Sequence, residues 1–152
     1  MKKAKMIMIL ILISFFVFSC FNDEDSDFPY DVTAFLSQDS VSAEENIIIF
    51  VRTDTFFSNC NYGIIYDSSV NNRDISIEFT GIYIPEIVLP ACGPASAYIG
   101  LQLANRTGTY NIGFENQGIE NTAELIFDDE MCILETVNTT NITVLRDTLY
   151  LK

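Results

Sequence analysis

The stretch Asp-Ile-Ser-Ile-Glu-Phe-Thr-Gly-Ile-Tyr-Ile at residues 74–84 carries the clearest structural signal in the chain. In its first half Ile75, Ile77 and Phe79 alternate with polar residues. Because successive side chains of a β-strand point to opposite faces, this alternation predicts a strand with one buried face and one face in water.

Comparable apolar or alternating runs recur along the chain, with turn-forming residues between them. They lie at residues 32–36, 47–52, 62–66, 97–103, 109–115, 122–127, 131–137, 141–146 and 148–151. Helical periodicity is weak after the first twenty residues. The pattern predicts an all-β domain, an antiparallel β-sandwich or barrel, and we take a sandwich of about 8–10 strands as the expected fold. Residues 47–51 are apolar throughout, so this run is expected inside the fold.

Residues 108–112, Gly-Thr-Tyr-Asn-Ile, resemble the end of an immunoglobulin-like domain, in which a Gly-x-Tyr opens a late strand. The resemblance implies that the hydroxyl of Tyr110 bonds back to the preceding loop. Ile112 stands where immunoglobulins have their second disulfide cysteine, and the chain contains no Trp. The resemblance therefore supports the sandwich class rather than one topology, and a plain hairpin with a buried tyrosine is the alternative.

The first nineteen residues have the layout of a secretory signal. Three lysines within the first five residues precede an apolar run at residues 6–18, which only Ser14 interrupts. As a helix this run would span roughly 20 Å, whereas the hydrocarbon core of a bilayer is roughly 30 Å thick. The sequence thus favours a cleaved signal over a permanent transmembrane helix.

Residues 17–20, Val-Phe-Ser-Cys, resemble the lipobox of bacterial lipoproteins. In that family the cysteine thiol takes a diacylglycerol, the signal is cleaved before the cysteine, and the new amino group is acylated. The resemblance implies that Cys20 is the lipidated first residue of the mature protein, and several acyl chains would anchor it stably in a membrane. An ordinary signal peptide followed by a chance cysteine is the alternative.

Residues 22–27, Asn-Asp-Glu-Asp-Ser-Asp, form a short acidic segment that is typical of a solvated tether. The segment resembles the acidic export signal that follows the lipidated cysteine in surface lipoproteins of the Bacteroidetes. It implies an outer-membrane lipoprotein exposed at the cell surface, with a tether facing the periplasm as the alternative. The expected organisation is a signal peptide at 1–19, the lipidated cysteine and tether at 20–30, and a β-sandwich domain at 31–152.

Composition excludes several classes of function. After removal of the signal, five cationic residues remain against 21 acidic ones, a formal net charge of −16 that repels nucleic acid. The chain has no histidine, which excludes Ser-His-Asp catalysis, histidine-ligated metals and a histidine general base. We expect no nucleic-acid partner, no cofactor, no metal centre and no catalytic residue. A hydrolase built on two carboxylates is the remaining enzymatic alternative.

Three cysteines remain besides Cys20. Cys60 and Cys92 lie beside turn-forming residues, and Cys132 lies in an apolar run. Outside the cytoplasm two of the three are expected to pair, and we favour a Cys60–Cys92 disulfide with Cys132 as a buried free thiol. The other two pairings stay open. The acidic run 128–130 offers carboxylates to calcium, but a solvated turn explains it equally well.

Phe56 and Phe57 come shortly before Cys60 and are the candidate ligand-binding residues. Aromatic side chains on a loop held by a disulfide suit a glycan or protein ligand, whereas packing against the disulfide is the alternative. The sequence predicts a cell-envelope lipoprotein that acts as a non-enzymatic binding or interaction module. Its ligand would be an unknown protein or glycan, and it would meet the membrane through its N-terminal lipid. An accessory or structural subunit of an envelope complex is the alternative function.

Overall fold

The computed structural model describes residues 28–37, 47–87 and 89–151. The signal, Cys20 and the acidic segment to Asp27 lie outside the described residues, so the expectations stated for them stay predictions.

Ten strands make up 68% of the described residues, and none of these residues lies in a helix. The strands are β1 (Val32–Leu36), β2 (Ile47–Phe57), β3 (Gly63–Asn71), β4 (Asp74–Tyr83), β5 (Gly93–Leu101), β6 (Gly108–Asn116), β7 (Ile119–Asp128), β8 (Met131–Asn138), β9 (Ile142–Val144) and β10 (Asp147–Tyr150). The all-β prediction is confirmed.

The strands form one curled sheet in the order β10-β8-β7-β6-β4-β3-β5-β2-β1-β9. Three neighbouring pairs run parallel: β1 with β9, β3 with β5, and β4 with β6. The sheet is therefore mixed, and the purely antiparallel arrangement that the sequence predicted is not found. Alternation cannot distinguish the two arrangements, because it reports only which face of a strand is buried. The sandwich and the immunoglobulin-like topology are not confirmed.

The inner face of the curled sheet encloses one hydrophobic core. The alternation in β4 places one face of the strand in this core, as predicted, since Ile75, Ile77 and Phe79 are all buried. The ring of Phe79 stacks on that of Phe114 in β6, with 6.3 Å between ring centroids. Aromatic stacking therefore joins β4 and β6 in addition to their backbone pairing.

The core extends back to Phe28, ahead of the first strand. Phe28 is only 1% exposed, and its ring lies 5.5 Å from that of Tyr30 and 5.7 Å from that of Phe79. The packed part of the chain thus begins at least three residues before Asp31, where the sequence placed its start. Seven residues, 21–27, separate Cys20 from Phe28 in the sequence.

Tyr110 makes the local contact that the resemblance of residues 108–112 to an immunoglobulin-like domain implies. Its hydroxyl donates a hydrogen bond of 2.7 Å to the carbonyl oxygen of Asn105, and the guanidinium of Arg73 lies 5.3 Å from the ring centroid. The bond to the preceding loop is confirmed. This hydrogen bond stabilises the turn into β6. Because it is a local contact, it does not distinguish one sheet topology from another.

Cys132 is a buried free thiol on β8, as expected. Burial raises the pKa of its thiol from 9.0 to about 12, and the positive charge of Arg106 lowers it by a smaller amount. In the unfolded chain the thiol loses its proton near its ordinary pKa. Its contribution to stability is thus fully present below about pH 9 and is lost as the pH rises through about 12.

Between pH 9 and 10.5 we expect the free energy of unfolding to fall by about 1.4 kcal/mol per pH unit on account of Cys132. Denaturant titrations of the wild-type protein and of Cys132→Ala isolate this effect, because the two proteins share every other titratable group. The difference in the free energy of unfolding between the wild type and Cys132→Ala should change by about 1.4 kcal/mol per pH unit over this range. Parallel pH profiles would contradict the burial of the thiol.

Candidate functional site

The candidate residues Phe56 and Phe57 belong to strand β2 and point to opposite sides of it. Phe56 is 69% exposed. The ring of Phe57 packs between those of Tyr30 and Tyr62, at centroid distances of 5.2 and 5.3 Å. The two phenylalanines therefore do not form one binding surface, and only Phe56 is available to a partner.

Phe56 belongs to a group of large apolar side chains at one end of the sheet, where β2 and β4 end and where β3 and β5 begin. The members of this loop-end surface are each between 50% and 79% exposed. They are Phe56, Tyr83, Ile84, Ile87 and Leu89. Exposed apolar residues grouped in this way are typical of interaction surfaces.

Hydrogen bonds fix the segment that carries much of this surface. The side-chain amide of Asn61 donates to the carbonyl of Ile87 at 2.7 Å and accepts from the backbone N–H of Leu89 at 3.0 Å. Leu89 in turn accepts a 2.8 Å bond from the N–H of Ala91. Because these bonds order the backbone in advance, a partner that contacts the segment has less conformational entropy to remove.

The two exposed cysteines lie at the same end of the sheet. Gly93 follows Cys92 directly, and a Cβ atom at Gly93 would be 2.7 Å from the Cβ of Cys60. A side chain at position 93 would therefore clash with the β2–β3 connection. Both thiols are free in the structure, so the Cys60–Cys92 disulfide is not shown and stays a prediction.

A second apolar surface lies on the outer face of the sheet, away from the core. Phe35 of β1, Phe50 of β2 and Tyr98 of β5 are paired in register across the three strands. Their ring centroids are 5.0 Å apart from Phe35 to Phe50 and 4.7 Å apart from Phe50 to Tyr98. We call these three residues the aromatic row. Tyr98 is 57% exposed, and the two phenylalanines are half-buried.

Polar and open positions flank the aromatic row. Thr33, Arg52 and Ser96 are paired in register two residues along the same strands, on the same face. On the other side of Tyr98, no atom lies within 4 Å of the point where Gly100 would carry a Cβ. Thr33 is buried, and its hydroxyl donates to the carboxylate of Asp54 at 2.6 Å. A ligand on the rings would therefore have the side chains of Arg52 and Ser96 on one side and the open space at Gly100 on the other.

The aromatic row shows where the sequence interpretation of residues 47–51 is wrong. Ile47, Ile49 and Val51 are buried as expected, but Ile48 and Phe50 face outward and are only half-buried. The apolar run is thus an alternating strand whose outer face is also apolar. The apolar residues at the outward-facing positions 48 and 50 are the feature of the sequence that could have indicated the aromatic row.

A shallow depression of about 280 Å³ lies on the outer face of β4, β6 and β7. Its lining residues are Ser76, Gly113, Glu115, Gly118 and Glu120. Glu115 and Glu120 are paired directly across β6 and β7, so their Cβ atoms are about 4.5–5.5 Å apart.

Glu115 and Glu120 are the carboxylate pair that this depression offers to the hydrolase alternative. Both glutamates are exposed, and no aromatic or apolar side chain lines the depression. Acid and base roles require surroundings that distinguish the two carboxylates, and nothing in this lining does so. The geometry therefore gives hydrolysis little support.

Comparison with protein-family models, with curated proteins and with solved structures yields no match. Among the described residues, no helix is long and apolar enough to cross a membrane. No group of three or more His, Cys, Asp or Glu side chains in the same part of the chain could hold a metal ion, including the turn at Asp128–Glu130.

Proposed function

We propose that this protein is a lipid-anchored lipoprotein of the cell envelope that acts as a non-enzymatic binding module. Cys20 carries the lipid, and the acidic segment after it directs the protein to the outer face of the outer membrane. The domain binds a protein or a glycan on the aromatic row. The observation that carries this proposal is the in-register row of rings on the outer face of the sheet.

The position of the rings suits binding for two physical reasons. They lie on three adjacent, hydrogen-bonded strands, so little conformational freedom is lost when a partner covers them. Aromatic faces also pack against the apolar C–H face of a sugar ring or against apolar protein side chains, and tyrosine is enriched among the residues that dominate binding energy. The guanidinium of Arg52 and the hydroxyl of Ser96 are available beside them for directional hydrogen bonds.

Tyr98→Ala tests the role of the row. We expect this substitution to weaken ligand binding at least about tenfold, since an exposed tyrosine at the centre of an interface contributes on the order of 1–2 kcal/mol or more. Binding is measured with lipidated protein on immobilised envelope glycans and against detergent extracts of the envelope. The unfolding midpoint should stay close to that of the wild type.

Tyr150→Ala is the matched control, because Tyr150 is 75% exposed on β10 and outside the row. It should leave binding unchanged. Equal binding by Tyr98→Ala and the wild type would contradict the proposal. Stoichiometric co-purification with one envelope protein would instead assign the row to a permanent interface of an accessory subunit.

A further inference from the structure

We infer that the loop-end surface contacts the lipid leaflet in which the protein is anchored. This inference rests on the proposed lipidation of Cys20 and adds a second, direct contact between the folded domain and the membrane. The domain would then stand on its loop end, and the aromatic row would face sideways, free for a partner.

The chain enters the fold at the same end as the loop-end surface. The ring of Tyr30, two residues after the first described residue, contacts the ring of Phe57 at 5.2 Å. Phe57 follows Phe56 and pairs with Gly93, where the segment carrying Ile87 and Leu89 rejoins the sheet. The attachment point of the tether and the exposed apolar side chains are therefore neighbours.

The tether is too short to hold this end far from the lipid. Only residues 21–27 separate Cys20 from the buried Phe28. Eight Cα-to-Cα steps span at most about 29 Å when fully extended. A surface confined this close to the bilayer meets it at an effective concentration in roughly the millimolar range, so even a weak intrinsic affinity produces contact.

The chemistry of the surface suits the boundary between headgroups and acyl chains. Its members are aliphatic or aromatic, and Ile87 at 79% exposure is the most exposed large apolar side chain among the described residues. Moving such side chains out of water favours insertion. Tyr83 adds an amphipathic ring of the kind that is enriched at the interface.

Charge favours a neutral lipid surface over a second copy of the chain. Glu86 lies within the apolar segment, and Asp31 and Asp54 lie close together at the same end, joined by a backbone hydrogen bond of 2.9 Å. Two such ends would repel one another. Insertion is consequently driven by apolar contact alone, and anionic lipids should weaken it, the opposite of what basic membrane-binding proteins show.

The absence of tryptophan makes the contact directly measurable. The full mature chain, lipidated on its own Cys20, is reconstituted into phosphatidylcholine vesicles that contain brominated phosphatidylcholine, a short-range quencher. Ile87→Trp provides the reporter at the loop end. Tyr150→Trp is the control, because Tyr150 is 75% exposed and pairs with Met131 beside the β7–β8 turn, at the opposite end of the strands.

We expect bromine to quench roughly half of the Ile87→Trp emission and roughly a tenth or less of the Tyr150→Trp emission, because only the first indole reaches the acyl chains. Including anionic phosphatidylglycerol should reduce quenching at position 87, and salt should restore it. The added substitution Glu86→Gln should diminish this dependence on anionic lipid.

The design separates failure of the inference from failure of the proposed lipoprotein. Co-flotation with vesicles and the mass of the mature N-terminus report the anchor, and without an acyl group on Cys20 both proposals fall. If the protein floats but bromine quenches both tryptophans equally, the inference is overturned and the anchor stands. Shielding of position 87 from both bromine and aqueous acrylamide would indicate a protein occupant, such as a second copy, and would also overturn the inference.

Discussion

Phe28→Ala is expected to lower the free energy of unfolding by about 3–5 kcal/mol, the usual cost of truncating a fully buried phenylalanine. The ring is 1% exposed and lies between those of Tyr30 and Phe79. Its removal leaves a cavity at the point where the chain enters the core, and neighbouring strands can close such a cavity only in part. Denaturant unfolding followed by far-ultraviolet circular dichroism measures the effect.

Phe56→Ala makes the same chemical change on the surface and serves as the control. Because Phe56 is 69% exposed, its truncation should alter stability by no more than about 0.5 kcal/mol. A cost below about 1 kcal/mol for Phe28→Ala would show that the residue belongs to the tether. The packed domain would then start at residue 31, as the sequence suggested, and a longer segment after Cys20 would allow the loop end to stand farther from the membrane.

Asn121→Ala is expected to cost about 3–5 kcal/mol, because it removes a buried amide that makes several hydrogen bonds at once. The side chain of Asn121 is fully buried. It donates to the carbonyl of Ile119 and, at 2.7 Å, to the side-chain oxygen of Asn141. It also accepts bonds from the backbone N–H groups of Thr140 and Asn141. Alanine would leave these buried groups without their partner.

Asn111→Ala is the matched control, since the exposed side chain of Asn111 makes one bond, of 2.9 Å, to Asp74. It should cost about 1 kcal/mol or less. Thermal and denaturant unfolding of the two variants compare them directly. Similar losses in both would mean that the buried network does not stabilise the fold as the structure indicates.

The asparagine network also connects the hairpin of β6 and β7 to the start of the domain. The side chain of Asn116 donates to the carbonyl of Tyr30 at 2.9 Å, and that of Asn141 donates to the carbonyl of Asn116 at 2.8 Å. Loss of Asn121 should therefore loosen the region next to Phe28 as well. The predictions at Phe28 and Asn121 thus concern one structural unit at the loop end.

The sequence predicted those features of the structure that depend only on residues close together in the chain. The alternation in β4 located Ile75, Ile77 and Phe79 in the core. The bond from Tyr110 to the preceding loop was implied by the resemblance of residues 108–112 to the end of an immunoglobulin-like domain. Both are local consequences of strand and turn geometry.

What periodicity could not predict depends on contacts between distant parts of the chain. Phe35, Phe50 and Tyr98 form a row only because β2 pairs with β1 on one side and with β5 on the other. No spacing within a single strand encodes that register. The burial of Phe28 and the parallel pairing of β4 with β6 are long-range outcomes of the same kind.

The most direct test of the proposed binding function is photo-crosslinking in intact cells, with a benzophenone-bearing phenylalanine replacing Tyr98 in one strain and Tyr150 in another. Benzophenone inserts into nearby C–H bonds of proteins and glycans alike. The proposal predicts a discrete adduct from position 98 and none from position 150. If the protein reaches the cell envelope and position 98 yields no adduct, or the two positions yield the same products, the aromatic row is not a binding surface.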